Sequence, residues 1–148
     1  MDCGRKADRG LWTEGRIEEG CGLWTVGRRM RDHTKLDVFH VADQLVLLVY
    51  VKTRDFPKEE MFGLTSQMQC SVLSIPSNIV EGCARNTEAD YLHFLDMAYG
   101  SAREIQYQIS VAERLGYLKQ ADEIKLLSEK TARQLNALIR SLRNPKSL

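Results

Sequence analysis

The sequence predicts an all-α protein, an up-down-up-down four-helix bundle, and three observations carry that expectation. Apolar residues recur at helical spacing in four successive segments between Leu36 and Leu142. The segments are separated by residues that stop or start helices, namely Pro57 and Gly63, Thr87, Gly116, and finally Asn144-Pro145. The connections are short, which makes neighbouring helices antiparallel around one core. A chain of 148 residues with 43% apolar and 28% charged residues is able to bury such a core.

In the first segment Phe39, Ala42, Val46, Val49 and Thr53 share one side, and Val38, Val41, Leu45 and Leu48 lie beside them. That helix is apolar over more than half its circumference, whereas a bundle needs a stripe of only about 100°, so burial by the bundle and by a second subunit is expected. Pro57, followed by Lys58, Glu59 and Glu60, closes it and opens a short turn that ends at Gly63. The second helix is expected from Thr65 to Arg85, with Met68, Val72, Ile75, Ile79 and Cys83 inward. Pro76 lies inside it and removes one backbone hydrogen bond, which predicts a kink, and Ser71, Ser74 and Ser77 are placed to satisfy the freed groups.

Thr87 has the chemistry of an N-cap, with Glu88 and Asp90 in the positively polarised first turn. The third helix runs to about Leu115 on a core stripe of Tyr91, Leu95, Ala98, Ala102, Ile105, Ile109 and Ala112, with Met97, Val111 and Leu115 as a second apolar shoulder. Gly100-Ser101 falls mid-helix, where glycine costs about 1 kcal/mol against alanine, so a close helix contact is expected there. Gly116 stops this helix. The fourth spans about Lys119 to Leu142, with Ile124, Leu127, Leu135, Leu138, Ile139 and Leu142 within about 120°.

The domain organisation expected is a flexible leader at residues 1–33, the bundle at 34–143 and a tail at 144–148. The first thirty residues hold both tryptophans and no helical periodicity, and Gly10-Leu11-Trp12-Thr13 returns as Gly22-Leu23-Trp24-Thr25. This stretch is read as upstream sequence ahead of a start at Met30, with a Trp/Arg arm that stacks on bases as the alternative.

Three ordered motifs stand out: Phe56-Pro57-Lys58-Glu59-Glu60-Met61-Phe62-Gly63-Leu64-Thr65-Ser66-Gln67, then Ser74-Ile75-Pro76-Ser77-Asn78-Ile79-Val80-Glu81-Gly82, then Gly100-Ser101-Ala102-Arg103-Glu104. From about Lys35 to Leu142 the chain closely resembles the four-helix-bundle proteins encoded within intervening sequences of bacterial 23S rRNA genes. The resemblance implies a homopentamer of four-helix protomers, kinship with RNA-binding accessory variability proteins of diversity-generating retroelements, and no enzymatic activity. Ser74, Pro76, Asn78, Glu81, Gly82, Gly100, Ser101 and Glu104 are the structural motif positions. Where family members typically carry an Arg-Arg pair after the Leu-Thr-Ser-Gln motif, this chain has Gln69-Cys70, so two phosphate contacts per subunit are missing.

Catalytic and metal chemistry find little footing. Asp90-x-x-His93 has the spacing of a di-iron helix, but such a site needs two of these motifs and two further glutamates. His33 and His40 have no partner in sequence, and Glu81 and Glu104 are accompanied by no nucleophile, phosphate loop or oxyanion motif, so Asn78, Glu81 and Glu104 are expected to bond backbone groups or neighbouring helices. Cys70 and Cys83, about 20 Å apart on one helix, cannot pair, and the four cysteines are expected as reduced thiols. No cofactor and no metal are expected. The longest apolar run, Leu45 to Val51, is far short of the roughly 20 residues that cross a bilayer, so a cytoplasmic protein without membrane contact is expected.

The net charge is +1, but no acidic residue follows Glu129, whereas Lys130, Arg133, Arg140, Arg143 and Lys146 do. Lys125, Arg133, Arg140 and Arg143 fall within about 80° on a helical wheel. Lys125, Lys130, Arg133, Arg140, Arg143 and Lys146 are therefore the candidate nucleic-acid contacts, and a ring of copies would join them into a basic rim. The expected function is a non-enzymatic oligomeric bundle, itself the first partner, that binds RNA or a nucleic-acid-processing protein. The alternative is a protein-protein scaffold with no nucleic-acid role.

Overall fold

Four long helices dominate the chain: α1 Asp37–Lys52, α2 Leu64–Cys83, α3 Glu88–Arg114 and α4 Asp122–Arg143. The structure, a computed structural model, describes residues 31–145, among which no strand occurs. The tryptophan-containing stretch and Lys146 lie outside the described residues. Each helix packs on its neighbours in the ring α1-α2-α3-α4, most extensively α2 on α3. This is the expected four-helix bundle. Every predicted core position of α2, and the whole Tyr91 to Ala112 stripe of α3, is buried.

The caps follow the sequence chemistry. Thr87 Oγ1 accepts the Asp90 backbone N–H at 3.1 Å and donates to the Asp90 carboxylate at 2.6 Å. Gly116 takes φ +79°, the left-handed conformation that ends α3 cheaply only for glycine. At the start of α2 the partner is less local: Glu60 accepts the Leu64 N–H at 3.0 Å through one carboxylate oxygen and the Tyr117 hydroxyl at 3.2 Å through the other. With the Phe56 and Tyr117 rings 5.5 Å apart, the α1–α2 connection is tied to the α3–α4 turn.

Pro76 sits within α2, which continues through it as one helix. Ser74 Oγ donates to the Ser71 carbonyl and Ser77 Oγ to the Leu73 carbonyl, both at 2.8 Å. These carbonyls flank that of Val72, the one that loses its amide partner. Asn78 Nδ2 donates to the Ser74 carbonyl at 2.8 Å. Of the two glutamates, Glu81 pairs with Arg85 along α2 at 2.6 Å, and Glu104 accepts from Gln108 at 3.2 Å. Gln108 is buried and also reaches Ser71 Oγ on α2 at 3.1 Å.

The expectation for Gly100 is overturned. An added Cβ there would meet nothing within 4 Å, and Gly100 itself is exposed in the protomer. The close approach occurs at Gly82, whose Cβ would lie 2.9 Å from Phe94 Cβ and 3.2 Å from Tyr91 Cδ2. Ser101, the neighbour of Gly100, is half-buried.

The bundle's edge extends slightly upstream of residue 34. Asp32 caps the turn His33–Lys35 by accepting the Thr34 N–H at 3.0 Å, and the Arg31 guanidinium lies 4.4 Å from the centre of the Tyr91 ring. Beneath that ring, burial pushes the Tyr91 hydroxyl up to about 12, with the neighbouring Cys83 thiol adding to the shift. Burial also raises the Cys83 thiol above its usual 9.0. Both groups hold their protons longer in the folded than in the unfolded chain. Stability is therefore complete below about pH 9 and falls as pH rises towards 12, by at most about 1.4 kcal/mol per unit for each group. Urea midpoints of the reduced protein at pH 8, 10 and 11 should decline in that order, and Tyr91→Phe should flatten the decline.

Candidate nucleic-acid interface

The helical wheel groups the cations of α4, and the bundle then divides them. Lys125 forms an ion pair with Glu113 of α3, and Arg143 forms one with Asp96 of α3 at 2.6 Å. Both pairs are partly exposed, so each contributes little to stability, but both cations already face a carboxylate. Lys130 falls on the other side of α4, against α1, where it lines a groove with Leu47, Leu48, Val51, Leu126 and Leu127. Lys146 lies outside the described residues. The six predicted contacts thus do not form one patch.

Arg133 and Arg140 keep the predicted character. Both are exposed, and neither makes an ion pair with a described residue. Arg103, the alternative contact that the sequence offers together with Arg85, lines a groove of about 340 Å³ between α3 and α4 with Tyr99, Gln106, Glu129, Arg133 and Asn136. The antiparallel register explains this meeting. The pairs Glu113–Lys125 and Asp96–Arg143 bracket the α3–α4 seam, and residues near 103 on α3 then face residues near 135 on α4. The sequence marks Arg103 as an available cation, but its position opposite Arg133 depends on which helix neighbours α4.

A second surface lies on the α1 side. Leu47 is 63% exposed, Val51 53% and Leu126 67%, and they line a cavity of about 580 Å³ between α1 and α4. Phe62, in the turn at the same end of the bundle, is 92% exposed. Large apolar side chains gathered in this way are unusual on the surface of a monomer.

Among the described residues no group of three or more His, Cys, Asp and Glu side chains comes together as a metal site, and His93 is exposed beside Phe94. Cys70 is exposed and Cys83 buried, and both are free thiols. No described helix is long and apolar enough to cross a membrane.

Comparison with known proteins gives two findings. A family model described as 23S rRNA-intervening sequence protein matches residues 34–139. Among solved structures, the chain is similar to a protein of unknown function from the S23 ribosomal protein family of Bacteroides thetaiotaomicron, with a TM-score of 0.64, 21% identity, and coverage of 70% of this chain and 95% of the other. At that identity the likeness speaks for the fold. No curated protein gives a significant match.

Proposed function

From the premise that the chain belongs to the 23S rRNA-intervening sequence protein family, whose model spans more than two thirds of it, we propose a non-enzymatic RNA-associated accessory protein working as a cytoplasmic homo-oligomer. The observation that carries this reading is a set of exposed arginines at 103, 133 and 140, none ion-paired with a described residue, of which Arg103 and Arg133 line the α3–α4 groove. Arginine in that state offers forked donors to phosphate oxygens at no cost of breaking an existing pair.

A protomer of net charge +1 draws little RNA on its own. Assembly changes this, because repeating three free arginines around a ring makes contacts that add through avidity. The apolar surface of Leu47, Val51 and Leu126 supports such assembly, and a homopentamer is the form proposed. That surface lies between α1 and α4, whereas Arg103 and Arg133 line the groove between α3 and α4.

Titration of the full-length protein with a labelled 20-nucleotide RNA at 50 and 200 mM salt tests the reading. Three phosphate contacts per engaged protomer should weaken binding roughly tenfold to twentyfold across that range. Absence of binding at the lower salt would replace this function with the protein-protein scaffold.

A further inference from the structure

We infer that the α3–α4 groove and the outer face of α3 beside it take a short single-stranded RNA segment, with phosphates on Arg103 and Arg133 of the groove and on Arg140 two turns further along α4, the groove amides of Gln106 and Asn136 at base edges, and a base stacked on Tyr107 outside the groove. The inference rests on the RNA reading above and specifies its site and the form of the ligand.

Tyr107 follows Arg103 by one turn of α3 and is 66% exposed, with no ring contact to another described aromatic. An exposed ring beside an unpaired arginine is the combination that holds an unpaired base and its phosphate together, since every base offers a π-face. Duplex RNA offers no such face, because its bases are stacked on one another within the helix. The groove itself is polar. Gln106 and Asn136 each carry a donor and an acceptor, so they match the edge of a base as well as they match water.

Glu129 also lines the groove, and its charge has a consequence for the register of the strand. A carboxylate repels phosphate and accepts hydrogen bonds, so it faces an exocyclic amino group of a base and leaves the phosphates to the arginines. The ion pairs Lys125–Glu113 and Arg143–Asp96 cross the seam near its two ends and occupy the cations there. The eighteen-residue step from Lys125 to Arg143 corresponds to about 27 Å of α4. No more than about eight nucleotides fit that length at the 3.4 Å spacing of a stacked strand. The ligand class is therefore a loop or an unpaired end of RNA.

The test compares a labelled single-stranded 12-nucleotide RNA with its perfect duplex, using the full-length wild type, Tyr107→Ala, Tyr107→Phe and Arg103→Gln. The wild type should bind the single strand at least about tenfold more tightly than the duplex. Tyr107→Ala should lose about tenfold in single-strand affinity with an unchanged salt slope, and Tyr107→Phe should restore it, because stacking needs the ring and not the hydroxyl. Arg103→Gln should weaken binding and flatten the slope of log affinity on log salt by about 0.7. Melting temperatures should be unaffected, since both side chains are exposed. Equal or tighter duplex binding, or unchanged single-strand affinity in Tyr107→Ala, overturns the inference while the RNA reading stands. Failure of the wild type to bind either RNA overturns both.

Discussion

Replacing Gly82 by leucine should lower the melting temperature by about 10 °C or more, while Gly100→Ala should raise it by a few degrees. The difference comes from what faces each glycine. At Gly82 the first added carbon would already stand 2.9 Å from Phe94 Cβ, a backbone-anchored atom that cannot swing aside, and 3.2 Å from the Tyr91 ring. Leucine brings three more carbons into the same space, so α2 and α3 must separate. Overpacking of that kind costs about 1–3 kcal/mol and occasionally more, and here it also disturbs the most extensive helix pair of the bundle. At Gly100 the space is open, and alanine gains about 0.5–1 kcal/mol by restricting the unfolded chain and favouring the helix. Thermal melts at one protomer concentration decide the matter, because assembly makes the midpoint concentration-dependent. Similar losses at both glycines would contradict the packing described.

The second large effect is on assembly. Leu47→Lys combined with Leu126→Lys should reduce the particle to a protomer of 16.9 kDa by light scattering, with the helical content retained. Both side chains are more than 60% exposed in the protomer, so their replacement removes no contact from the core. Between copies the situation is the reverse. In the proposed assembly two ammonium groups per protomer would be carried into a largely apolar contact whose lining holds one carboxylate, Glu123, and already one cation, Lys130, and burying an unpaired charge costs several kcal/mol. Repeated at every junction of a ring, that penalty offsets much of the roughly 8 kcal/mol that a micromolar interface supplies. A particle of unchanged mass would place the contact between copies elsewhere.

Much of the fold is legible in the sequence because helical periodicity, caps and stops are local signals. The stripes Met68 to Cys83 and Tyr91 to Ala112, the Thr87 cap and the left-handed Gly116 all follow from residues within a few positions of one another. Contacts between distant residues are not encoded in this way. The wheel places Lys125, Arg133, Arg140 and Arg143 on one arc of α4, but the carboxylates of Glu113 and Asp96 that claim two of them belong to α3, Asp96 being 47 positions from its partner. Glu60 and Tyr117, 57 positions apart, join two turns whose proximity depends on the closed ring of helices. Glycine within a helix signals a close approach only when its open side faces a neighbour. Gly82 and Gly100 look alike in sequence, and the partner helix distinguishes them.

If the proposed RNA association depends on gathering weakly charged protomers into one particle, single-stranded RNA affinity at 50 mM salt should differ between the wild type and the Leu47→Lys, Leu126→Lys variant. The variant carries two extra positive charges per protomer, which by themselves favour RNA. Avidity acts in the opposite direction and is worth about a hundredfold or more when several linked sites engage one strand. The dispersed variant should bind at least about tenfold more weakly than the wild type despite its added charge. Equal or tighter binding by a monomeric variant would contradict it.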